Sequence, residues 1–173
     1  GNGGIAGDAE CVDIGAKDIE KITSFAKENK IDFAVVAPDD PLVLGAVDEL
    51  NKIGIPCFGP DKKAAIIEGS KVFSKNLMKK YNIPTAKYEV FNDPNKAIEY
   101  VKAENTTPVV VKADGLALGK GVIIAQTIDE AVEAIKEIME DKKFGDSGNN
   151  IVIEEFLTGP EVSVLAFTDG KCV

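Results

Sequence analysis

The stretch PVVVKADGLALGKGVIIAQ, residues 108–126, constrains the fold of this 173-residue chain more than any other. Two Val- and Ile-rich runs flank a loop that carries Gly115, Gly119 and Gly121. β-Branched runs on either side of a glycine-rich turn read as adjacent antiparallel strands. The first strand ends on Lys112, and a second lysine, Lys120, lies in the loop. A cation at the end of an apolar strand is costly unless something pairs with it. A plain hairpin with a solvated lysine accounts for Lys120 but leaves Lys112 unexplained, and the loop is longer than a tight turn needs. A backbone that approaches closely, beside two lysines, suits a phosphate. The spacing is not that of a Walker A loop. Three residues separate Gly115 from Gly119, Gly121 follows the lysine, and a strand comes next instead of a helix.

The rest of the chain alternates strand and helix patterns. A short strand is predicted at 10–14, a helix over 18–30 capped by Asp18, and a buried strand at 31–38. A helix over 41–54 opens on Pro41 and closes at Gly54, and a short strand follows at 55–60. This alternation predicts a parallel, Rossmann-like sheet. Two helices follow, at 61–70 and 71–82. After Pro84 the pattern predicts strands at 87–91, 108–113, 121–126 and 150–156, with helices at 93–104 and 128–140. Asp93 and Asp129 stand where those helices should start. Residues 141–150 read as a polar loop, and 161–167 alternate like a further strand, with a turn at Asp169-Gly170. The fold class is α/β, a Rossmann-like region followed by an α+β unit.

Composition narrows the chemistry. Histidine is absent, which removes the commonest general base, the Ser-His and Cys-His nucleophiles and the usual zinc ligands. Phosphoryl transfer, which relies on positioning and charge, survives that loss. A net charge of −9 argues against a broad nucleic-acid or membrane surface. No stretch is long and apolar enough to span a bilayer. Cys11, Cys57 and Cys172 lack paired or metal-type spacing, and read as free thiols in a reducing, cytoplasmic setting.

Two further motifs are candidates. GNGGIA, residues 1–6, fits a dinucleotide-binding pattern in letters, but no strand precedes it; a phosphate-binding nest and an unordered terminus both remain open. IVIEEFLTGPE, residues 151–161, sets Glu154 and Glu155 after three apolar strand residues, with Glu161 beyond a turn. These carboxylates are either solvated at a strand end or turned toward a ligand.

VVVKADGLALGKGV and the later IEEFLTGPEVSVLAFTDGK together resemble the ATP-grasp superfamily. GNGGIA, APDDPLVLG, FGPDKKAAIIEGSKVFSK and KKYNIPTAKYEVF, in that order, narrow the resemblance to the phosphoribosylamine–glycine ligase family. The resemblance covers essentially the whole chain. It implies that ATP phosphorylates the glycine carboxylate and that the amine of 5-phosphoribosylamine attacks the acyl phosphate, a step of purine biosynthesis without a side-chain nucleophile. Lys71 and Lys112 match phosphate-binding lysines. Gly115, Gly119, Lys120 and Gly121 match the flap over the phosphates. Glu154, Glu155, Phe156 and Leu157 match the adenine hinge, where Glu155 acts through its backbone, and Glu161 matches the ribose-binding carboxylate. Asn2, Gly3 and Gly4 match a loop that holds phosphoribosylamine. Asp39 stands where the family has a glutamate of its substrate site, one methylene longer.

The resemblance divides the chain into a pre-ATP-grasp region at 1–70 lacking its first strand, a linking helix at 71–83, a small ATP-grasp lobe at 84–155, and the hinge and start of the large lobe at 156–173. It implies magnesium or manganese held by residues beyond Val173, so that this chain alone would not turn over. The flap is expected to be mobile without nucleotide. The implied partners are ATP, glycine and 5-phosphoribosylamine, with no nucleic acid or membrane. Another ATP-grasp ligase and a non-catalytic nucleotide-binding module are the alternatives, and GNGGIA with DPLVLG speaks against a biotin carboxylase.

Overall fold

The computed structural model describes residues 2–117 and 120–172. Asp18 caps the first helix as expected. Its Oδ1 accepts from Lys21 N at 3.1 Å, and α1 runs Ile19–Glu28. Strands β1 (Ala34–Val35) and β2 (Cys57–Phe58) pair in parallel, with Ala34 opposite Cys57. The expected parallel pairing is therefore present, but only as two short strands, and 10–14 forms no strand. The strand expected to be buried at 31–38 is covered on one face only. Ala34 and Val36 pack against Ala26, Leu50 and Ile55, whereas Val35 is 65% exposed.

The single helix expected over 41–54 is two, α2 (Asp39–Leu44) and α3 (Ala46–Lys52). Gly45 between them sits at φ +96°, a left-handed conformation that ends a helix and that glycine adopts without a Cβ penalty. Helices α4 (Lys62–Gly69) and α5 (Lys71–Lys80) follow, capped by Asp61 and Ser70.

The second sheet holds β3 (Tyr88–Phe91), β4 (Val109–Ala113), β5 (Val122–Ala125) and β6 (Ile151–Glu155). Its order is β3-β6-β4-β5 and every neighbouring pair is antiparallel. The predicted hairpin around the glycine loop is β4–β5. Helices α6 (Pro94–Glu104), capped by Asp93, and α7 (Ile128–Met139) pack together with the sheet. Thr127, and not Asp129, caps α7 by accepting from Glu130 N at 3.2 Å. Strand alternation sends Val109, Val111 and Ala113 into a core with Ile135, Ile138 and Ile153. Each fully buried Ile or Val there contributes about 1.5–3 kcal/mol. Val110, Lys112 and Glu154 are left on the other face. The polar loop 141–150 contains a short 3-10 turn, Gly145–Asn149.

The strand expected at 161–167 does not form. Among the described residues no neighbouring strand offers it hydrogen bonds, and Leu165 is 95% exposed. Phe167 touches Phe58, with ring centroids 5.7 Å apart. Among the described residues no helix is long and apolar enough to cross a membrane.

Candidate functional site

On the face of the second sheet opposite α6 and α7, β4 and β6 bring Lys112 and Glu154 together. Lys112 pairs with Val152 and Val110 with Glu154, so the two charged residues are diagonal neighbours on one face. Lys112 Nζ donates to Glu154 Oε2 at 2.8 Å. The lysine that ends the valine run thus has a counter-charge within the protein. The sequence reading supplied only a bound anion. Lys75 of α5 reaches the same oxygen at 3.2 Å. Oε1 of Glu154 is buried and has no hydrogen-bond partner among the described residues.

These groups line a cleft of about 370 Å³ between α5, the sheet and the glycine loop. Lys71, Lys75, Lys112 and Glu154 lie along it, joined by the exposed Asp39 and Glu68 from α2 and α4. Lys71 Nζ donates to Gly115 O at 2.6 Å. Burial lowers the Lys71 amine below its ordinary value, and the carboxylate of Asp114 opposes that shift in part.

Asp114 ties the start of the loop to the start of α5. Its Oδ1 accepts from Ser70 Oγ at 3.0 Å, Val72 N at 3.2 Å and Gly115 N at 3.0 Å. Ser70 Oγ in turn accepts from Phe73 N. A carboxylate accepting from an N–H in the first turn of a helix is a favourable arrangement. Two loop glycines have steric reasons. Gly115 sits at φ +83°, and a Cβ on Gly121 would lie 2.7 Å from Ala117 Cβ.

The other predicted site residues are spread more widely. Gly119 lies outside the described residues. Lys120 is exposed, and its N–H donates to Ala117 O. The N–H groups of Asp114 and Gly115 are also bonded within the protein. Glu155 Oε1 accepts from Lys87 N at 2.8 Å, which ties the end of β6 to the residue before β3. Phe156, Leu157 and Glu161 are exposed and do not line the cleft. Asn2 Oδ1 accepts from Gly4 N and Ile5 N, each at 3.0 Å, so the glycine loop at the N-terminus wraps its own side chain. Gly3 and Gly4 both lack the positive φ of a left-handed residue.

Sequence reasoning missed Lys75 and Asp114. Lys75 lies one helical turn beyond Lys71, an i, i+4 spacing that places both on one face of α5. Asp114 follows Lys112 by two residues, and only the fold sets it against Ser70.

Among the described residues no three His, Cys, Asp or Glu side chains gather as they would around a metal ion. The arrangement suits holding a polyanion. Three lysines converge beneath a glycine loop, with one buried carboxylate keeping two of them in place.

Residues 1–68 match the phosphoribosylglycinamide synthetase N domain, and residues 69–173 match the phosphoribosylglycinamide synthetase ATP-grasp (A) domain. A phosphoribosylamine–glycine ligase of Streptococcus pyogenes is 51% identical over 171 residues, 98% of this chain and 40% of that protein. The one from Caldanaerobacter subterraneus is 49% identical and covers 100% of this chain and 41% of its own length. The crystal structure of phosphoribosylamine–glycine ligase from Thermotoga maritima superposes with a TM-score of 0.71 at 31% identity, covering 92% of this chain and 37% of that one. The biotin carboxylase domain of Hydrogenobacter thermophilus 2-oxoglutarate carboxylase, at TM-score 0.69 and 20% identity over 85% of this chain and 34% of that one, shares the fold alone. The chain spans about 40% of the length of the curated relatives it matches. Its two halves match the two consecutive domains in order, and the chain belongs to the phosphoribosylglycinamide synthetase family.

Proposed function

We propose that the cleft binds the phosphates of ATP and that the protein ligates glycine to 5-phosphoribosylamine. The carrying observation is the convergence of Lys71, Lys75 and Lys112 on one cleft beneath the 114–121 loop. A charge-assisted hydrogen bond to phosphate is roughly twice as strong as a neutral one. The buried, unpartnered Oε1 of Glu154 fits a donor on the ligand, such as the amino group of adenine. Glu155, Phe156 and Leu157 would flank the base, with Glu161 on the ribose hydroxyls. Gly115 and Gly121 let the loop backbone lie close over the phosphates, with Gly119 and Lys120 completing it. Asn2, Gly3, Gly4 and Asp39 would face phosphoribosylamine.

In the proposed reaction a glycine carboxylate oxygen attacks the γ-phosphorus of ATP and ADP departs, leaving glycyl phosphate. The amine of phosphoribosylamine then attacks the acyl carbon and expels inorganic phosphate, giving glycinamide ribonucleotide. Lys71 and Lys112 orient the phosphates and offset the charge that develops on them. Magnesium or manganese would neutralise the triphosphate.

Two measurements test the proposal. ADP binding by calorimetry should weaken at least about tenfold in Lys112→Met, because a hydrogen bond to a charged group contributes ~1.5–3 kcal/mol. Unchanged affinity would remove Lys112 from the phosphate site. ADP release that requires both glycine and phosphoribosylamine, measured on the protein at the full length of its relatives, tests the reaction. Release indifferent to glycine would rule it out.

A further inference from the structure

Glu154 holds two lysines on one oxygen, at 2.8 Å for Lys112 and 3.2 Å for Lys75. The two are not equivalent. The Lys75 ammonium also donates to Thr85 Oγ1 at 2.7 Å and stands 5.4 Å from the centre of the Tyr88 ring, and its side chain is only 10% exposed. Thr85 and Tyr88 are neutral, so Glu154 is the one carboxylate paired with Lys75 among the described residues. Among the described residues Lys112 makes its side-chain hydrogen bond to Glu154 alone, and its side chain is 26% exposed where it lines the cleft.

Charge balance separates their roles. A buried carboxylate with a single lysine holds that lysine, because releasing it strands an unpaired anion. With two lysines, Glu154 keeps a partner when one leaves. Lys112, more exposed and with fewer ligands, is the one able to leave. We infer that Lys75 is a positioning residue that neutralises Glu154, so that Lys112 can turn to an anionic ligand in the cleft. The inference rests on the phosphate reading of the cleft. It does not require Lys75 to touch the phosphate.

The test is ADP affinity by calorimetry, with a melting curve for every variant. Lys75→Met leaves Lys112 as the sole partner of Glu154 and should weaken ADP at least about tenfold. Glu154→Gln releases both lysines, and because it also alters the acceptor offered to the base it serves as the reference for the double variant. The double variant should bind ADP within about threefold of Glu154→Gln, since without the carboxylate the loss of Lys75 leaves nothing unbalanced. Lys75→Arg, which keeps the cation, should behave as the wild type. A direct phosphate contact by Lys75 instead leaves the double variant at least about tenfold weaker than Glu154→Gln, and that result overturns the inference. If Lys75→Met does not fold, the double variant is compared with Glu154→Gln. Equal affinities support the inference and a tenfold gap overturns it. Absence of ADP binding by the wild type overturns the phosphate reading along with this one, whereas wild-type binding with a tenfold gap between Glu154→Gln and the double variant overturns this one alone.

Discussion

Replacing Asp114 by alanine should loosen the joint between the glycine loop and α5. In the structure Asp114 Oδ1 accepts from Ser70 Oγ, Val72 N and Gly115 N at 3.0–3.2 Å. Alanine leaves all three donors without that acceptor. At about 1 kcal/mol net per hydrogen bond the loss is roughly 3 kcal/mol. The carboxylate also lies at the N-terminal end of α5, where a negative charge contributes about 0.3–1 kcal/mol. Asp114 is only half-buried, so water can replace some of what is lost, and the expected cost is about 2–3 kcal/mol. For a chain of this size that is a fall in Tm of roughly 5–10 °C. Asp114→Asn keeps an acceptor oxygen and should lose about 1 kcal/mol or less. Urea denaturation of both variants, with amide exchange at residues 70–73, reads the effect. A stable Asp114→Ala, within about 0.5 kcal/mol of the wild type, would refute the reasoning. An asparagine as damaging as the alanine would show that the charge matters and the acceptor geometry does not.

Lys71 should give a pH-dependent signature. Burial lowers its amine below the ordinary 10.5, so the folded protein binds fewer protons than the unfolded one between the lowered value and 10.5. Charged Lys71 therefore costs stability at neutral pH, and the cost disappears as pH rises through that window. The stability of Lys71→Met relative to the wild type should fall between pH 7 and pH 10.5, followed by melting; a difference flat in pH contradicts the burial argument. Gly121→Val places a branched side chain where even a Cβ would meet Ala117 Cβ at 2.7 Å. It should cost about 1–3 kcal/mol and weaken ADP binding, and wild-type stability would mean that the loop yields without strain. Glu155→Gln keeps an acceptor for Lys87 N and should leave both stability and ADP affinity within about twofold, whereas Glu155→Ala loses about 1 kcal/mol. Equal losses in both variants would assign Glu155 a role for its charge.

The amino-acid sequence determined the local elements that carry their own signals. Asp18 and Asp93 cap helices because a short acidic side chain reaches the free N–H groups of the first turn. The β4–β5 hairpin follows from two β-branched runs around a glycine loop, and the absence of histidine set aside whole classes of chemistry. The motifs around Lys112 and Glu161 were specific enough to indicate the family.

Tertiary structure decided what depends on partners distant in the chain. The run 161–167 alternates like a strand but among the described residues has no neighbouring strand to bond, and a strand is stable only as part of a sheet. Residues 41–54 read as one helix because periodicity tolerates a glycine, while the left-handed Gly45 ends α2 and precedes α3. Lys112 and Glu154 are separated by 42 positions and meet because β4 and β6 pair in one register. No local pattern encodes that register. Lys75 and Asp114 were invisible for the same reason. Their significance lies in what faces them across a fold boundary, and the energy of a buried charge is set by its neighbours in space.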